Sequence, residues 1–344
     1  MRGYSFYKNI IKYYPYGNGH INKTYLVETN EGKYILQQIN SNVFKKPKDV
    51  MKNIDLITKY IKKKKGKTLE LVKDRKGKKL RKIGECYWRC YKYIENGITF
   101  EKIDNDDIFY EVGKAVGNFQ KELRNFPIDK LRITIPDFHN TKKRYEKLFS
   151  VINNNEKVNS CIEEIRFVSE RKQMIFDYMK VIEEKVPLRV THNDTKLNNV
   201  MMNNVDKKSI CLIDLDTVMP GSILFDFGDA IRIGASTALE DEKDLRKVRI
   251  NKKLFEKFTE GFLEETKDIL TLEEKQLLVE SCKIITLECG IRFLTDFLEN
   301  DIYFKTEYYG HNLIRARNQF KLVKEFEQKE EVLLEIVKKV YNRI

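Results

Sequence analysis

Residues 95–97, Glu-Asn-Gly, separate two different hydrophobic rhythms, and that change of period limits the fold more than any other feature of the chain. Before it the pattern is strand-like. HINKTYLVET and GKYILQQIN are alternating or β-rich runs, and the NEG between them is a hairpin signal. One helix intervenes, with Val50, Ile54, Ile57 and Ile61 at helical spacing and Pro47 near its start. TLELVKD, the turn RKGKK and CYWRCYKYI supply further strands. After the break, Ile108, Val112, Ala115, Phe119 and Leu123 form one helical stripe, and residues 160–185, 251–267 and 272–299 read the same way. That helical part is interrupted once, by a strand at 188–192, then VMMN, a turn and the strand ICLID. The expectation is an α+β chain of two lobes: a small antiparallel-sheet lobe over residues 1–95 and a larger, mainly helical lobe over 96–344. A length of 344 residues, more than one compact core usually holds, agrees.

Composition removes several classes of function. The formal net charge is +13, but the excess is spread as single lysines, with local clusters only at 62–65 and 75–82. Neither cluster has interleaved aromatics, so solvated lysine faces are expected and no nucleic-acid partner. The six cysteines sit in apolar segments, and Cys86 and Cys90 lie too far apart along one strand to bridge. Four histidines without a CxxC partner argue against zinc, and reduced thiols in a cytoplasmic protein are the default. MRGYSFYKNI has no apolar signal core, and no run of 18 apolar residues is present, so no membrane association is expected.

The chemistry is concentrated in RVTHNDTKLNNVMM, residues 189–202, which crowds polar groups against an apolar strand. Phosphoryl transfer needs a carboxylate to take the proton of the attacking hydroxyl and a nearby group to hold Mg²⁺. Protein kinases place these as Asp and Asn in H-x-D-x-x-x-x-N, the spacing of His192, Asp194 and Asn199. Lys196 would reach the γ-phosphoryl oxygens, and His192 would hold the loop. An Asx-rich turn after a strand is the competing reading. ICLID then delivers Asp214 to a strand end, where a second carboxylate suits the Mg²⁺ ligand. The literal tripeptide Asp226-Phe227-Gly228 follows no comparable strand and precedes a helix start, so Asp226 is expected to cap or brace. YGNGHINKTY sets Gly17, Gly19 and Asn22 between strands as a phosphate-covering hairpin, with a plain glycine turn as the alternative. The usual ATP-binding lysine is missing: Gln37 and Gln38 stand where it would be, and the helix over 50–61 has no Glu to pair with one. Main-chain groups at 92–95 are expected to meet the adenine.

Together these motifs resemble the aminoglycoside phosphotransferase and choline kinase group of small-molecule kinases. Within it the chain looks most like N-acetylhexosamine 1-kinases, on YGNGHINKTYLV, YILQQINSNVF, THNDTKLNNVMM, IDLDTVMPGSILFDFGDAIR and GIRFLTDFLENDIYFKTEYYGHNLIRARNQF. The resemblance implies a bilobal protein-kinase-like fold and ATP- and Mg²⁺-dependent phosphorylation of the anomeric hydroxyl of GlcNAc or GalNAc. It also implies that glutamine in place of the lysine is compatible with activity. Asp194 and Lys196 would be catalytic, with Asn199 and Asp214 on the metal. Gly17, Gly19, Asn22 and Gln37 would face the nucleotide. Asp194, Asp216, Arg292 and Tyr303 would grip the sugar.

The residues tolerate that assignment. Asp216 is expected on the same side of an extended segment as Asp214. Arg292 and Asp296 share a helix face, with an ordinary surface ion pair as the alternative. Tyr303 offers a ring and a hydroxyl, with core packing as its alternative. Two further readings stay open: a related kinase acting on an aminoglycoside, choline or another sugar, and a silent binding module. Four intact residues, Asp194, Lys196, Asn199 and Asp214, weigh against the second. A monomer or weak homodimer is expected.

Overall fold

The computed structural model describes residues 3–17, 21–103, 105–153 and 155–344. The first lobe is a five-stranded antiparallel sheet. Its strands are β1 (Ile10–Pro15), β2 (Lys23–Thr29), β3 (Gly32–Ile39), β4 (Arg81–Ile83) and β5 (Cys86–Lys92), in the order β1-β2-β3-β5-β4. β2 and β3 pair from Lys23↔Gln38 to Thr29↔Gly32, so NEG makes the tight turn expected of it. Helix α1 (Pro47–Lys63) starts on Pro47 and buries Val50, Ile54, Ile57 and Ile61. These pack into the main core of the second lobe, whereas the sheet keeps a small core of its own around Phe6, Val27, Leu36 and Cys90. TLELVKD is not a strand. Leu71 makes one bridge to Tyr91, and Val72 donates to the Cys90 carbonyl. The buried Asp74 then turns the chain by accepting the N–H groups of Lys76 and Lys78.

β6 (Gly97–Ile98) already belongs to the second lobe, where it pairs with residues 202–203. The long helix α2 (Asp106–Leu123) packs along the later helix over 252–266, and the two approach closely because glycines face each other's backbone. Helices α3 (Thr141–Val151), α4 (Ile162–Glu170) and α5 (Lys172–Lys185) follow. The single helix expected over 160–185 is two, broken at Arg171, whose guanidinium stacks on Phe167 and pairs with Glu327. Strand β7 (Arg189–Thr191) precedes the hairpin of β8 (Val200–Asn203) and β9 (Ser209–Leu212), and it pairs with β10 (Met219–Gly221). Helix α6 (Ile223–Gly234) contains Asp226-Phe227-Gly228, so that tripeptide does follow a short strand, and it is helical. The remainder is α7 (Lys252–Thr266), α8 (Leu272–Gln276), α9 (Leu278–Leu298), α10 (His311–Gln328) and α11 (Glu330–Arg343). Leu277 separates α8 from α9 within the segment expected to be one helix. The plan is an antiparallel-sheet lobe joined to a mainly helical lobe, the protein-kinase-like arrangement. No helix among the described residues is long and apolar enough to cross a membrane.

Candidate active site

The polar segment leaves the end of β7 and runs over residues 192–199 into one 3₁₀ turn. Its burial is possible because its main chain is satisfied from behind. Asp226, fully buried in the first turn of α6, accepts the N–H groups of His192 at 2.9 Å and Asn193 at 2.7 Å, and the Gln120 amide at 2.7 Å. Thr195 Oγ1 donates to the Asp226 carbonyl at 2.6 Å. His192 Nε2 meets the Ile213 carbonyl at 2.8 Å, tying the loop to the end of β9. Asp226 is therefore a brace and His192 a loop holder.

Held this way, the loop presents Asp194 with two partners. Lys196 Nζ lies 3.2 Å from its carboxylate, and Asn199 Nδ2 donates to the same oxygen at 2.9 Å and to the Asp194 carbonyl at 2.8 Å. Burial pushes the Asp194 carboxyl up, but Lys196, His192 and these hydrogen bonds outweigh it and hold it below the ordinary value. It is a carboxylate at neutral pH, able to accept a proton. Lys196 is pushed up, chiefly by Asp194, and stays cationic.

Asp214 follows β9 with a left-handed backbone, φ 55° and ψ 58°, a conformation that Asp tolerates better than most residues. That kink overturns the extended segment expected over 214–216, because Leu215–Thr217 coil into a 3₁₀ turn. Burial pushes the Asp214 carboxyl up to about 6, followed by the charges of Asp216 and Asp194, with Lys196 and Arg89 opposing. It is an acid short of positive charge. Among the described residues no three His, Cys, Asp or Glu side chains form a cation cage. Mg²⁺ in a phosphoryl-transfer site needs only one or two protein oxygens beside phosphates and water, and Asp214 fits it. So does Asn199, whose amide nitrogen is spent on Asp194 and which therefore has its oxygen to offer.

Asp216 turns to the amino-terminal lobe. It is 2 % exposed, with one oxygen paired to Arg89 Nη1 and the other accepting from Asn22 Nδ2 at 2.7 Å. Arg89, on β5 directly opposite Gln37, donates through Nε to Gln37 Oε1 at 3.0 Å, and Gln37 Nε2 donates to Thr24 at 3.0 Å. Helix α1 supplies no acid here; its buried Asn53 donates to the carbonyls of Val218 and Arg132. Gly17 has φ +78°, open to glycine at no cost, and Tyr16 N–H to the Thr24 carbonyl closes the hairpin base. Gly19 lies outside the described residues.

Arg292 does not pair with Asp296. Asp296 instead accepts the N–H groups of Tyr303 and Phe304 and the Asn312 amide, shaping the turn after α9. The Arg292 guanidinium lies 5.2 Å from the ring centre of Phe138, 5.8 Å from Tyr303 and 5.4 Å from Phe304, and makes no ion pair among the described residues. Tyr303 is 53 % exposed, so it is not a core ring. His139 connects this corner to the loop: Nε2 meets the Asn193 carbonyl at 3.1 Å and Nδ1 meets Glu288, one turn before Arg292, at 2.9 Å. A cavity of about 720 Å³ opens on the other side of the loop, at Lys196 and Asn198. Of the acids that line it, Glu240 pairs with Arg232 at 2.6 Å and Glu242 with Lys247 at 3.5 Å, while Asp241 lies 3.4 Å from His311. Sequence reasoning missed Arg89, His139 and Glu288. Only Arg89 left a signal, a single cation inside an apolar, aromatic strand.

Residues 12–252 match the model of the phosphotransferase enzyme family. The chain belongs to that family of small-molecule kinases. A microcompartment-associated aminopropanol kinase is similar over 97 % of this chain and 96 % of its own, at 15 % identity and TM-score 0.69. An amicoumacin kinase held with AMP-PNP and Ca²⁺ gives 15 % identity and TM-score 0.62 over 95 % and 90 %. A choline kinase from Cryptosporidium parvum gives 15 % and 0.55 over 97 % and 92 %. At such identity these likenesses speak for the fold.

Proposed function

We propose that the protein transfers the γ-phosphoryl group of ATP, with Mg²⁺, to the anomeric hydroxyl of an N-acetylhexosamine. Asp194 accepts the hydroxyl proton as the sugar oxygen bonds to the γ-phosphorus, the bond from phosphorus to the bridging oxygen breaks, and ADP leaves. Mg²⁺, held by Asp214 and Asn199, would neutralise phosphate charge. Lys196 would stabilise the equatorial oxygens while they carry transition-state charge. An anomeric hydroxyl is more acidic than an ordinary alcohol, so a carboxylate suffices as base and the remaining work is positioning.

The observation that carries the choice of acceptor is Arg292. A cation with no direct ion pair among the described residues, set against three rings, with Glu288 one helical turn away and His139 linking that acid to the loop bearing Asp194, disfavours an amine and suits the oxygens of a neutral sugar and its acyl group. The ion pairs of Glu240 with Arg232 and of Glu242 with Lys247 at the 720 Å³ cavity point the same way. The amine-directed names among the similar structures favour the alternative, a kinase of aminoalcohols. ADP release on a panel of GlcNAc, GalNAc, choline, ethanolamine and 1-amino-2-propanol, with phosphorus NMR of the product, decides between them. A sugar 1-phosphate supports the reading; turnover on amines alone, or a sugar 6-phosphate, overturns it.

A further inference from the structure

Strand β3 has Gln37 and Gln38, not a lysine, at the usual ATP-binding position, and the carboxylate two residues beyond Asp214 is not free. These facts have one geometric explanation. Gln37 occupies the lysine's place on β3, and the residue across the ladder from it, Arg89, supplies the only guanidinium in the buried seam between the sheet and the 214–218 turn among the described residues. Arg89 is 0 % exposed, reaches from the sheet into the second lobe, and is held at a fixed angle by Gln37. Asn22, in the loop before β2, takes the other oxygen of Asp216, and its own Oδ1 accepts the N–H of Asn40 at 3.0 Å at the far end of β3. Asp216 thus receives a strut from the sheet and a strut from the phosphate-covering hairpin.

We propose that Arg89, Asp216 and Asn22 form an inter-lobe clamp which replaces the missing lysine-to-glutamate pair and fixes the start of β2 and the β3–β5 ladder against the 214–218 turn, so that the sheet is held for nucleotide binding. Arg89 and Asn22 are positioning residues that act through Asp216, and Asp216 is an anchor, not a sugar ligand. A bidentate-capable, planar cation is suited to the task because it fixes direction as well as distance. A buried charge pair has its best-attested use in specifying one arrangement over its alternatives, which is what an interface between two lobes requires. The proposal rests on the kinase reading, since a clamp has a function only where a nucleotide is to be gripped.

The test needs no acceptor and no turnover. Binding of a fluorescent ADP analogue is titrated against wild type, Arg89→Met, Arg89→Lys, Asp216→Asn, Asn22→Ala and the double variant Arg89→Met/Asp216→Asn, with circular dichroism as the folding control. Arg89→Met is expected to weaken binding roughly tenfold, within the range usual for coupled sites. Arg89→Lys should recover part of that. The double variant should be no weaker than Arg89→Met, since residues acting as one unit do not add. Asn22→Ala removes the hydrogen bonds to Asp216 and from the Asn40 N–H in a partly exposed loop, so it keeps the test alive if Arg89→Met fails to fold; a loss of roughly threefold or more is expected. Wild-type affinity in folded Arg89→Met or in Asn22→Ala overturns the clamp, as does a double variant whose loss equals the product of the singles, which would mean that Arg89 meets the phosphates directly. If wild type itself binds no nucleotide, the kinase reading falls instead.

Discussion

Asp194 and Asp214 are neighbouring, partly buried acids whose surroundings drive them apart. Lys196 and Asn199 hold Asp194 as a carboxylate, while Asp214 is pushed toward its acid form by loss of solvent and then by the charges of Asp216 and Asp194. Asp194→Asn should lower kcat by the ~10²–10⁴ typical of a lost general base while nucleotide affinity stays near wild type. Turnover within a few-fold of wild type in an ADP-release assay would remove Asp194 from that role. The two candidate metal acids separate by stability. Asp226→Ala strands two main-chain N–H groups and an amide, each costing about 1–3 kcal/mol when buried unpaired, so its Tm should fall steeply. Asp214→Ala removes an ill-compensated charge, so metal-dependent turnover should vanish while the Tm without metal holds or rises. Thermal melts of both variants, with and without Mg²⁺, check the pair; the reverse pattern would exchange the assignments.

Among elements, the crossing of α2 and α7 sets the position of the catalytic loop. A Cβ on Gly113 would stand 2.2 Å from the Phe258 carbonyl oxygen, and one on Gly261 would stand 2.1 Å from that of Tyr110. Both obstacles are main chain, so the helices themselves must separate. Gly113→Ala should therefore cost about 1–3 kcal/mol of stability. It should also lower kcat, because α2 carries the Gln120 that braces Asp226. Denaturant unfolding and ADP release measure the two effects, and an unchanged midpoint would show that the crossing can relax. This scale also shows what could be read beforehand. The stripe from Ile108 to Leu123 and that from Val50 to Ile61 declared their helices, because local periodicity and burial coincide. The break at Arg171 did not, because its causes are a ring and a carboxylate, the latter far along the chain. The turn of Asp216 was invisible for the same reason. Alternation assumes extended backbone, and nothing local announces that Asp214 is left-handed or that Arg89 waits across the cleft. His139 and Glu288 are joined only by the fold.

Across the whole molecule, that last pair is a pH-dependent fastening between the loop and the helical core. Burial pushes the His139 imidazole down, but Glu288 outweighs it and raises it above the ordinary 6.5. Burial pushes Glu288 up, and His139, with Arg292 and Arg144, brings it below 4.5. A histidine raised on folding adds stability that is complete below its unfolded value and is lost as pH climbs through the higher folded one. A glutamate lowered on folding adds stability above its unfolded value that is lost as pH falls through the lower folded one. The two contributions coexist between about 4.5 and 6.5. Wild type should thus lose Tm above this window relative to His139→Gln, and parallel melting curves from pH 5 to 9 would contradict the pair.

Six cysteines are free, and five of them are buried, with burial pushing Cys161 up to about 11 and Cys211 and Cys289 up to about 12. Thiolate, not thiol, reacts with maleimides, so these sites stay silent in the folded chain. Cys86 is the exception, partly exposed at the start of β5, its sulfur 3.0 Å from the Gln38 amide nitrogen. The first lobe therefore carries its own attachment point for a fluorophore on the strand that ends in the inter-lobe connection. Opening and closing of the two halves can be watched by dye emission in the unmutated protein, with no cysteine first removed.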